Sequence, residues 1–281
     1  MKKKWTFYGE RFIFYLLVVV IAFYALFPFY WAFTTSFKTE NEMFRRASYF
    51  PQEPTLKNYR YVLDSDRFLL SLRNSAFVSS STALLSLMVG SFAAYALGRL
   101  RFRGRTALLY VVLSMTMFPA ISILSGLYTI VKQLGVFGTP FALIATYPVF
   151  TLPFTVWVLT SFFRGLPAEL EQAAIIDGAS HLQTFWHILL PLTAPALVTT
   201  GLLSFVSSWN EYLFALNFTF TNPDAQTVTV AIAKFTGIEA YQEPIAEIMA
   251  AAMFVTIPLL LLVLIFQRRI VAGLTAGAVK G

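Results

Sequence analysis

Six stretches of mostly apolar residues divide this chain, and each is bounded by charged or turn-forming residues. A helix needs about 20 apolar residues to cross the hydrocarbon core of a bilayer, and all of these stretches are long enough. The pattern therefore predicts an all-α, polytopic membrane protein that forms a single transmembrane domain over residues 1–281. The six predicted transmembrane helices cover about residues 12–33, 74–98, 107–131, 141–163, 193–220 and 245–266.

Basic residues indicate how these spans are oriented. An even number of spans places both ends of the chain on one side, and that side holds 12 of the 21 lysine and arginine residues. Short loops rich in Lys and Arg stay in the cytoplasm, so we expect both termini to be cytoplasmic. The residues concerned are Lys2, Lys3, Lys4, Arg11, Arg99, Arg101, Arg103, Arg105, Arg164, Arg268, Arg269 and Lys280.

The composition supports a lipid environment and excludes several kinds of site. Hydrophobic residues make up 57% of the chain and charged residues only 12%, whereas globular domains average about 25% charged residues. There is no cysteine, which excludes disulfides, thiolate metal sites and cysteine nucleophiles. The net charge of +7 comes from short segments between apolar runs, so we expect contact with membrane lipid and no nucleic-acid partner.

Small residues recur along the second predicted span. Ser86, Gly90, Ala94 and Gly98 follow one another at four-residue spacing. Residues at this spacing share one face of a helix, and small side chains there let two helix backbones approach closely in lipid. The second span is therefore predicted to pack tightly against a neighbouring helix.

A more polar segment, ELEQAAIIDGASHLQTFWHILLP (169–191), lies between the fourth and fifth spans. Gly178 suits the left-handed backbone that ends a first helix. Ser180 and Gln183 form a Ser-x-x-Gln capping box that starts a second helix. The spacing of four large apolar residues then predicts one stripe on the second helix: Leu182, Phe185, Trp186 and Leu189. The segment is predicted to be a helix–turn–helix hairpin outside the bilayer.

Two interpretations of this hairpin follow from the residues alone. It could be an interfacial helix that rests on lipid, although such helices are usually rich in Lys and Arg on their polar face and this one is not. It could instead be a docking element for a soluble partner. A metal site is not favoured, because His181 and His187 would lie about 120° apart around a helix with no cysteine or nearby carboxylate to complete the ligands.

The hairpin resembles a family signature. Gln172-Ala173-Ala174, three residues, Gly178, nine residues and Ile188-Leu189-Leu190-Pro191 are similar to the E-A-A-x3-G-x9-I-x-L-P signature of ABC importer permeases. The signature glutamate is Gln172 here, and Glu171 precedes it. Residues 208–216 (SWNEYLFAL) and 267–281 (QRRIVAGLTAGAVKG) also resemble the second permease subunit of maltose- and trehalose-type sugar importers. The resemblance covers essentially the whole chain.

The resemblance implies a type I ABC importer permease in a bacterial inner membrane. Residues 167–191 would form a cytoplasmic coupling-helix hairpin seated in a cleft of an ATP-hydrolysing subunit. The chain would form half of the path for a sugar, such as trehalose or maltose, and work by alternating access without being an enzyme. The implied coupling residues are Glu171, Gln172, Ala173, Ala174, Asp177, Gly178, Ala179, Ile188, Leu190 and Pro191.

The resemblance also implies the partners. These are a sister permease in a heterodimer, two ATPase subunits and an extracytoplasmic sugar-binding protein that meets the loop from about 221 to 243. The cytoplasmic tail, 268–281, would reach the interface between the ATPase subunits. No cofactor is expected on this chain, with ATP and Mg on the ATPase subunits, and the sequence has no G-x4-G-K-[ST] phosphate-binding loop.

Two other classes of membrane protein were compared with this interpretation. An ion-gradient-driven secondary transporter or channel usually carries ionisable residues inside the membrane, and here Glu211, Glu243 and Glu247 all lie near the predicted outer ends of spans. A lipid-modifying enzyme would need a cluster of catalytic His or Asp residues, and the chain has only 2 histidines. Both alternatives are less consistent with the sequence than an importer permease.

One polar group is expected within the outer half of the fifth span. Trp209, Asn210 and Glu211 lie about 23 Å along a continuous helix from Pro195. An Asn-Glu pair at that depth needs water or a partner helix. The three residues are therefore candidates for a lining or gate of the substrate path, and a hydrogen bond that only packs two helices is an equally good explanation.

Overall fold

The computed structural model describes residues 2–45, 48–235 and 244–276. All regular structure in these ranges is helical, with no β-strand among them, so the all-α prediction is confirmed for this part of the chain. The chain divides into two compact units. One consists of Met1–Asp66 and Lys234–Ile257, and the other of Arg67–Ala233 and Pro258–Gly281.

The first unit contains a long apolar helix and two short helices that follow it. These are α1 (Lys2–Ser36), α2 (Glu40–Arg45) and α3 (Lys57–Leu63). The end of α1 is tied to α3 by polar contacts. The Ser36 and Tyr59 hydroxyls lie 2.7 Å apart, and the Asn58 amide donates to the carbonyl oxygens of Ser36 and Lys38, both at 2.9 Å.

Glu42 fixes the loop that joins α2 to α3. Its Oε1 accepts hydrogen bonds from the Ser48 hydroxyl (2.7 Å) and the Gln52 backbone N–H (2.9 Å). Partial burial alone would raise the pKa of the Glu42 carboxyl, but these hydrogen bonds and the nearby Lys38 ammonium hold the pKa below its usual value. The ionised carboxylate is therefore the form that stabilises this loop.

The second unit contains most of the helices. They are α4 (Asp66–Arg99), α5 (Arg105–Ser114), α6 (Ala120–Gln133), α7 (Pro140–Thr146), α8 (Pro148–Gly165), α9 (Glu169–Ile176), α10 (His181–Thr184), α11 (Leu190–Leu192), α12 (Ala194–Trp209), α13 (Leu213–Thr219) and α14 (Val228–Ala233). The last helix, α15 (Ile245–Ala276), contributes residues to both units. Short 3-10 turns cover Met115–Met117 and Pro223–Ala225, and a π-helical turn covers Phe185–Leu189.

Within the part of the chain that the structure describes, four helical segments are long and apolar enough to cross a membrane by themselves: Gly9–Ser36, Asp66–Arg99, Pro140–Gly165 and Ile245–Gln267. Two bent pairs raise the number to as many as six. α5 and α6 meet at an angle of 100° where Pro119 removes a backbone donor, and the segment His181–Leu192 meets α12 at 77°. The prediction of six spans lies within this range and stays a prediction.

The fifth predicted span, 193–220, is not one continuous helix. α12 ends at Trp209, and α13 begins only at Leu213. The sequence pattern missed this break because residues 210–212 carry no proline or glycine. α12 alone is about 24 Å long, which is shorter than the hydrocarbon core of about 30 Å that a typical bilayer has.

The small residues of α4 allow α8 to approach closely, as predicted. A Cβ added to Gly90 would lie 2.7 Å from Thr155 Cγ2, and one added to Gly98 would lie 3.2 Å from Phe163 Cβ. The Ser86 hydroxyl lies 2.6 Å from the Thr151 hydroxyl across the same contact. Close backbone approach and a buried hydrogen bond therefore hold this pair of helices together.

We predict that Gly90→Ala lowers the stability of the protein by about 1–3 kcal/mol relative to Gly126→Ala. Both glycines lie inside helices and gain the same helix propensity from the change. Only the Gly90 variant adds a methyl group against a neighbouring helix, because Gly126 has open space around it. The free energy of unfolding in mixed micelles measures the difference, and equal stability of the two variants would contradict the close α4–α8 contact.

Candidate functional site

The hairpin predicted between the fourth and fifth spans is formed by α9, α10 and the helical turns that follow them. Gly178 has φ of +84°, the left-handed backbone that glycine adopts without strain. The Gly178 N–H donates to Ile175 O (3.0 Å) and the Ala179 N–H to Ala174 O (2.9 Å). These bonds satisfy carbonyls at the end of α9 and reverse the chain direction, as the sequence predicted.

The second arm begins with the predicted capping box. The Gln183 N–H donates to Ser180 Oγ at 3.3 Å, and Gln183 Oε1 accepts from the Ser180 N–H at 2.8 Å. Two backbone donors at the start of α10 are thereby satisfied within the hairpin. The turn between the arms is therefore built entirely from local contacts.

The apolar stripe of the second arm is divided by a π-helical turn. Phe185 and Leu189 are fully buried, whereas Leu182 is 59% exposed and Trp186 is 46% exposed. The turn from Phe185 to Leu189 carries an extra residue relative to an α-helical turn. The prediction of a single stripe used α-helical periodicity. The π-helical turn breaks that periodicity, so two of the four residues are buried and the other two are exposed.

The buried members of the stripe join an aromatic cluster on the ends of the neighbouring helices. The Phe185 ring lies 4.9 Å from Phe92 in a stacked arrangement, 5.2 Å from Tyr95 and 6.1 Å from Phe163. Aromatic pairs at these separations add to the stabilisation from burial. The second arm is therefore packed onto α4 and α8.

The predicted coupling residues lie at different depths in the hairpin. Ala174 is buried; Glu171, Ala179, Ile188 and Leu190 are partly buried; Gln172, Ala173, Asp177, Gly178 and Pro191 are exposed. The exposed surface also includes Ile175 (47%) and Ile176 (85%), which the sequence analysis did not single out. Both isoleucines lie beside the Gly178 turn, on the surface of the first arm.

A polar contact anchors the first arm. The Tyr95 hydroxyl donates to Glu171 Oε1 at 3.0 Å, and Arg99 Nε lies 3.6 Å from Glu171 Oε2. Arg99 Nη2 also donates to the Pro167 carbonyl oxygen at 3.1 Å. The sequence did not connect Tyr95 to the hairpin and indicated Arg99 only as a marker of orientation, because both residues lie on α4, more than 60 positions before their partners in the hairpin segment.

The Trp209-Asn210-Glu211 group coincides with the break between α12 and α13. Trp209 is 2% exposed, and its ring stacks on Phe205 at 5.5 Å. The Glu211 carboxylate accepts hydrogen bonds from the Phe214 and Ala215 N–H groups at 2.8 and 3.0 Å. Glu211 thus satisfies the free donors at the start of α13, and the side chain of Asn210 remains exposed.

The segment after α13 folds back onto the same region. The Asn74 amide donates to the carbonyl oxygens of Asp224 (2.8 Å) and Gln226 (3.1 Å), and the Val228 N–H donates to the Ser75 hydroxyl at 2.8 Å. The Thr229 hydroxyl donates to the Glu211 carbonyl oxygen at 2.8 Å. The first part of the predicted 221–243 loop is therefore packed into the protein, and residues 236–243 lie outside the described residues.

The remaining polar groups and the cavity beside Trp209 offer little catalytic chemistry. No group of three His, Cys, Asp or Glu side chains that could hold a metal occurs within the part of the chain that the structure describes, and His181 and His187 are both exposed. A cavity of about 640 Å³ lies beside Trp209 and Phe205, with Arg73 as its one charged lining residue. Its other walls are almost entirely aliphatic.

Comparison with known proteins identifies the relatives of this fold. Residues 86–275 match the family described as the binding-protein-dependent transport system inner membrane component. The trehalose transport system permease protein SugB of Mycobacterium tuberculosis is 42% identical over 95% of this chain and 96% of its own. The trehalose/maltose transport system permease protein MalG of Thermococcus litoralis is 41% identical over 97% of this chain and 98% of its own.

The fold has a solved counterpart. A chain of a bacterial ABC transporter involved in the import of the acidic polysaccharide alginate superposes with a TM-score of 0.79, at 23% identity, over 92% of this chain and 95% of its own. The likeness at this identity concerns the helical architecture. Taken with the family match over residues 86–275, it confirms the predicted fold class. The chain belongs to the binding-protein-dependent inner-membrane components of ABC importers, and it is a permease subunit whose ATPase is a separate subunit.

Proposed function

We propose that this permease carries a sugar, with a disaccharide such as trehalose or maltose as the cargo class. The names of two relatives at 41–42% identity, which cover nearly their whole length, support this choice. The chain works as half of a heterodimer with a sister permease, and the pair alternates between outward and inward access. ATP and Mg are bound by two ATPase subunits.

The observation that carries the mechanism is the hairpin at 167–191. It is a self-contained turn, built by Gly178 and the Ser180–Gln183 capping box, and it is packed onto helix ends by Phe185. Its outer surface exposes Ile176, together with Leu182 and Trp186. Apolar side chains beside a polar turn suit a protein cleft, and we assign the cleft to an ATPase subunit.

The hairpin connects directly to a membrane helix. The chain turns by 77° at Thr193 and continues as α12, while Tyr95 and Phe92 link the hairpin to α4. A displacement of the hairpin by an ATPase subunit therefore reaches α12 through the covalent chain and α4 through packing. This connection is the proposed route by which ATP hydrolysis drives alternating access.

For the substrate path we propose the break at Trp209, Asn210 and Glu211. Membrane transporters often place binding or gating groups where a helix is interrupted. The Glu211 carboxylate is already occupied by the start of α13, and the Asn210 Nδ2 donates to the Val206 carbonyl oxygen at 2.9 Å. The Oδ1 of the exposed Asn210 side chain is therefore the atom of this group best suited to accept a hydrogen bond from a sugar hydroxyl. Glu211 would then act by holding the interrupted backbone in place.

The proposed orientation, with both termini in the cytoplasm, leads to a proposed location for each remaining partner. With both termini in the cytoplasm of a bacterial cell, the α13–α15 connection faces outside and its segment 236–243 meets an extracytoplasmic sugar-binding protein. A solved complex of an alginate ABC transporter with a periplasmic protein that carries an alginate pentasaccharide is a precedent for such an assembly. The tail from 268 to 281 reaches the ATPase interface from the cytoplasmic side.

We predict that Gly178→Val abolishes binding-protein-stimulated ATP hydrolysis and sugar transport by the reconstituted complex. The valine would have to adopt φ of +84°, which costs about 1–2 kcal/mol for a side chain with Cβ and more for a β-branched one. Gly135→Val is the matched control, because Gly135 also has positive φ (+70°) with open space around it and lies outside the hairpin. Normal stimulation in the Gly178 variant would refute the coupling role.

The topology can be tested by cysteine labelling, because the chain contains no cysteine. We predict that Lys57→Cys reacts in intact cells with a membrane-impermeant thiol reagent, whereas Arg103→Cys reacts only after permeabilisation. Both side chains are exposed, so a missing signal reports the side of the membrane rather than burial. Labelling of the Arg103 variant in intact cells would overturn the orientation.

The contact with the binding protein is tested by replacing residues 236–243 with a Gly-Ser linker of equal length. The change leaves the packed residues 225–230 and α15 in place. We expect basal ATP hydrolysis to persist and its stimulation by the sugar-loaded binding protein to disappear. Undiminished stimulation would show that the binding protein does not need this segment.

A further inference from the structure

We propose that Glu171 is a positioning residue whose carboxylate locks the first arm of the hairpin to the cytoplasmic end of α4. The hairpin and α4 then move as one body when an ATPase subunit displaces the hairpin. The proposal rests on the coupling function proposed above and adds the side chains that transmit the displacement: Tyr95, Arg99 and Glu171.

The two oxygens of the Glu171 carboxylate make different contacts with α4, one a hydrogen bond and the other an ion-pair contact that is too long to be a hydrogen bond. Oε1 accepts from the Tyr95 hydroxyl at 3.0 Å, and Oε2 lies 3.6 Å from Arg99 Nε. Tyr95 and Arg99 are four positions apart on α4, so their side chains project from the same face of the helix. The carboxylate therefore meets a two-residue site that α4 presents on one side.

The contact is shielded from water. The side chains of Arg99 and Glu171 are 9% and 18% exposed, and Tyr95 is 8% exposed. Charges in such surroundings interact more strongly than the surface pairs that contribute little to stability. The contact is thus able to fix the distance between α9 and α4.

Arg99 extends the contact to the segment that leads into the hairpin. Its Nη2 donates to the Pro167 carbonyl oxygen at 3.1 Å, two positions before α9 begins. In the opposite direction, Arg164 Nη2 donates from α8 to the Leu97 carbonyl oxygen near the end of α4 at 3.2 Å. One arginine bond therefore joins α8 to the end of α4, and the other joins the end of α4 to the segment that follows α8 and leads into the hairpin.

Tyr95 contacts both arms of the hairpin. Its hydroxyl binds Glu171 on the first arm, and its ring lies 5.2 Å from the Phe185 ring on the second arm. The apolar contact with Phe185 contributes attraction without a preferred direction, whereas the hydrogen bond to Glu171 has a defined geometry. One side chain of α4 thus holds the two arms at a fixed separation.

The orientation of Glu171 separates its role from that of Gln172. The carboxylate of Glu171 points back to the permease, while Gln172 is exposed on the outer surface of α9. Loss of the Glu171 contact should therefore leave the ATPase-binding surface intact. The expected defect is ATP hydrolysis that no longer moves sugar, rather than failure of the ATPase subunit to bind.

The first test is a double-mutant cycle in the complete reconstituted complex. The variants are Tyr95→Phe, Glu171→Leu and their combination, with Glu171→Gln as a milder change should Glu171→Leu fail to assemble. We expect each single change to lower the sugar transported per ATP hydrolysed by about tenfold, the effect of losing one hydrogen bond to a charged group. The double variant should be no worse than the worse single variant, because both remove the same contact.

Tyr110→Phe and Arg103→Gln are the controls. Tyr110 is 60% exposed on α5, and Arg103 is exposed in the loop between α4 and α5, so both should leave the transport ratio unchanged. The ATPase subunit should co-purify with every variant in normal amount. If the double variant shows the product of the two single losses in sugar transported per ATP hydrolysed, the proposal is wrong.

The second test measures position directly. Spin labels at Arg101→Cys and Glu169→Cys report the distance between the end of α4 and the start of α9 in the assembled complex. We expect a narrow distance distribution in the parent protein and a broader one after Tyr95→Phe, a change that a role in overall stability would not produce. If Tyr95→Phe changes neither the width of the distance distribution nor the amount of sugar transported per ATP hydrolysed, the proposed role of Glu171 is wrong. In that case a loss of coupling in Gly178→Val would still support the hairpin's function, and normal coupling there would refute the function itself.

Discussion

The constraint on which this structure depends is that backbone N–H and C=O groups in lipid need partners within the protein. Continuous helices meet this need alone, whereas at an interruption the free groups need another partner, and a polar side chain can supply it. At the break after Trp209, the Glu211 carboxylate binds two free N–H groups of α13. At the return of the following segment, the Asn74 amide binds two carbonyl oxygens. These two irregular stretches of backbone are therefore supported by specific polar side chains.

The hairpin has two different surfaces, an exposed face at its turn and a face that packs on the ends of α4 and α8. Contacts within the hairpin form its turn, so the outer face of the turn is not needed to hold the turn together. Contacts with the helix ends hold it from behind, through Phe185 in the aromatic cluster and Glu171 in the polar one. Under the proposed coupling, a partner that displaces the exposed face would displace α4 with it, because an apolar contact and a directional hydrogen bond both connect the hairpin to α4.

Sequence reasoning succeeded where the determining contacts are local. The positive φ of Gly178, the Ser180–Gln183 box and the small-residue face of α4 all follow from spacings of a few residues. It failed where partners are distant. Asn74 and Asp224 are 150 positions apart, and Tyr95 and Glu171 are 76 apart, so no periodicity could pair them. The resemblance to the family is visible in the sequence because the signature of the hairpin is itself a local pattern.

The π-helical turn from Phe185 to Leu189 has a consequence for how this segment tolerates changes in length. A π turn holds one residue more than an α turn, and each residue of an α-helix rotates the chain by about 100°. Removing one residue from this turn would restore a regular helix without stretching the backbone. It would also rotate the preceding part of the hairpin relative to α12, so that the Phe185 ring would lose its contacts with the aromatic cluster. The number of residues between Gly178 and Pro191 is thus set mainly by the direction in which Phe185 has to point, and less by the distance that the chain has to span.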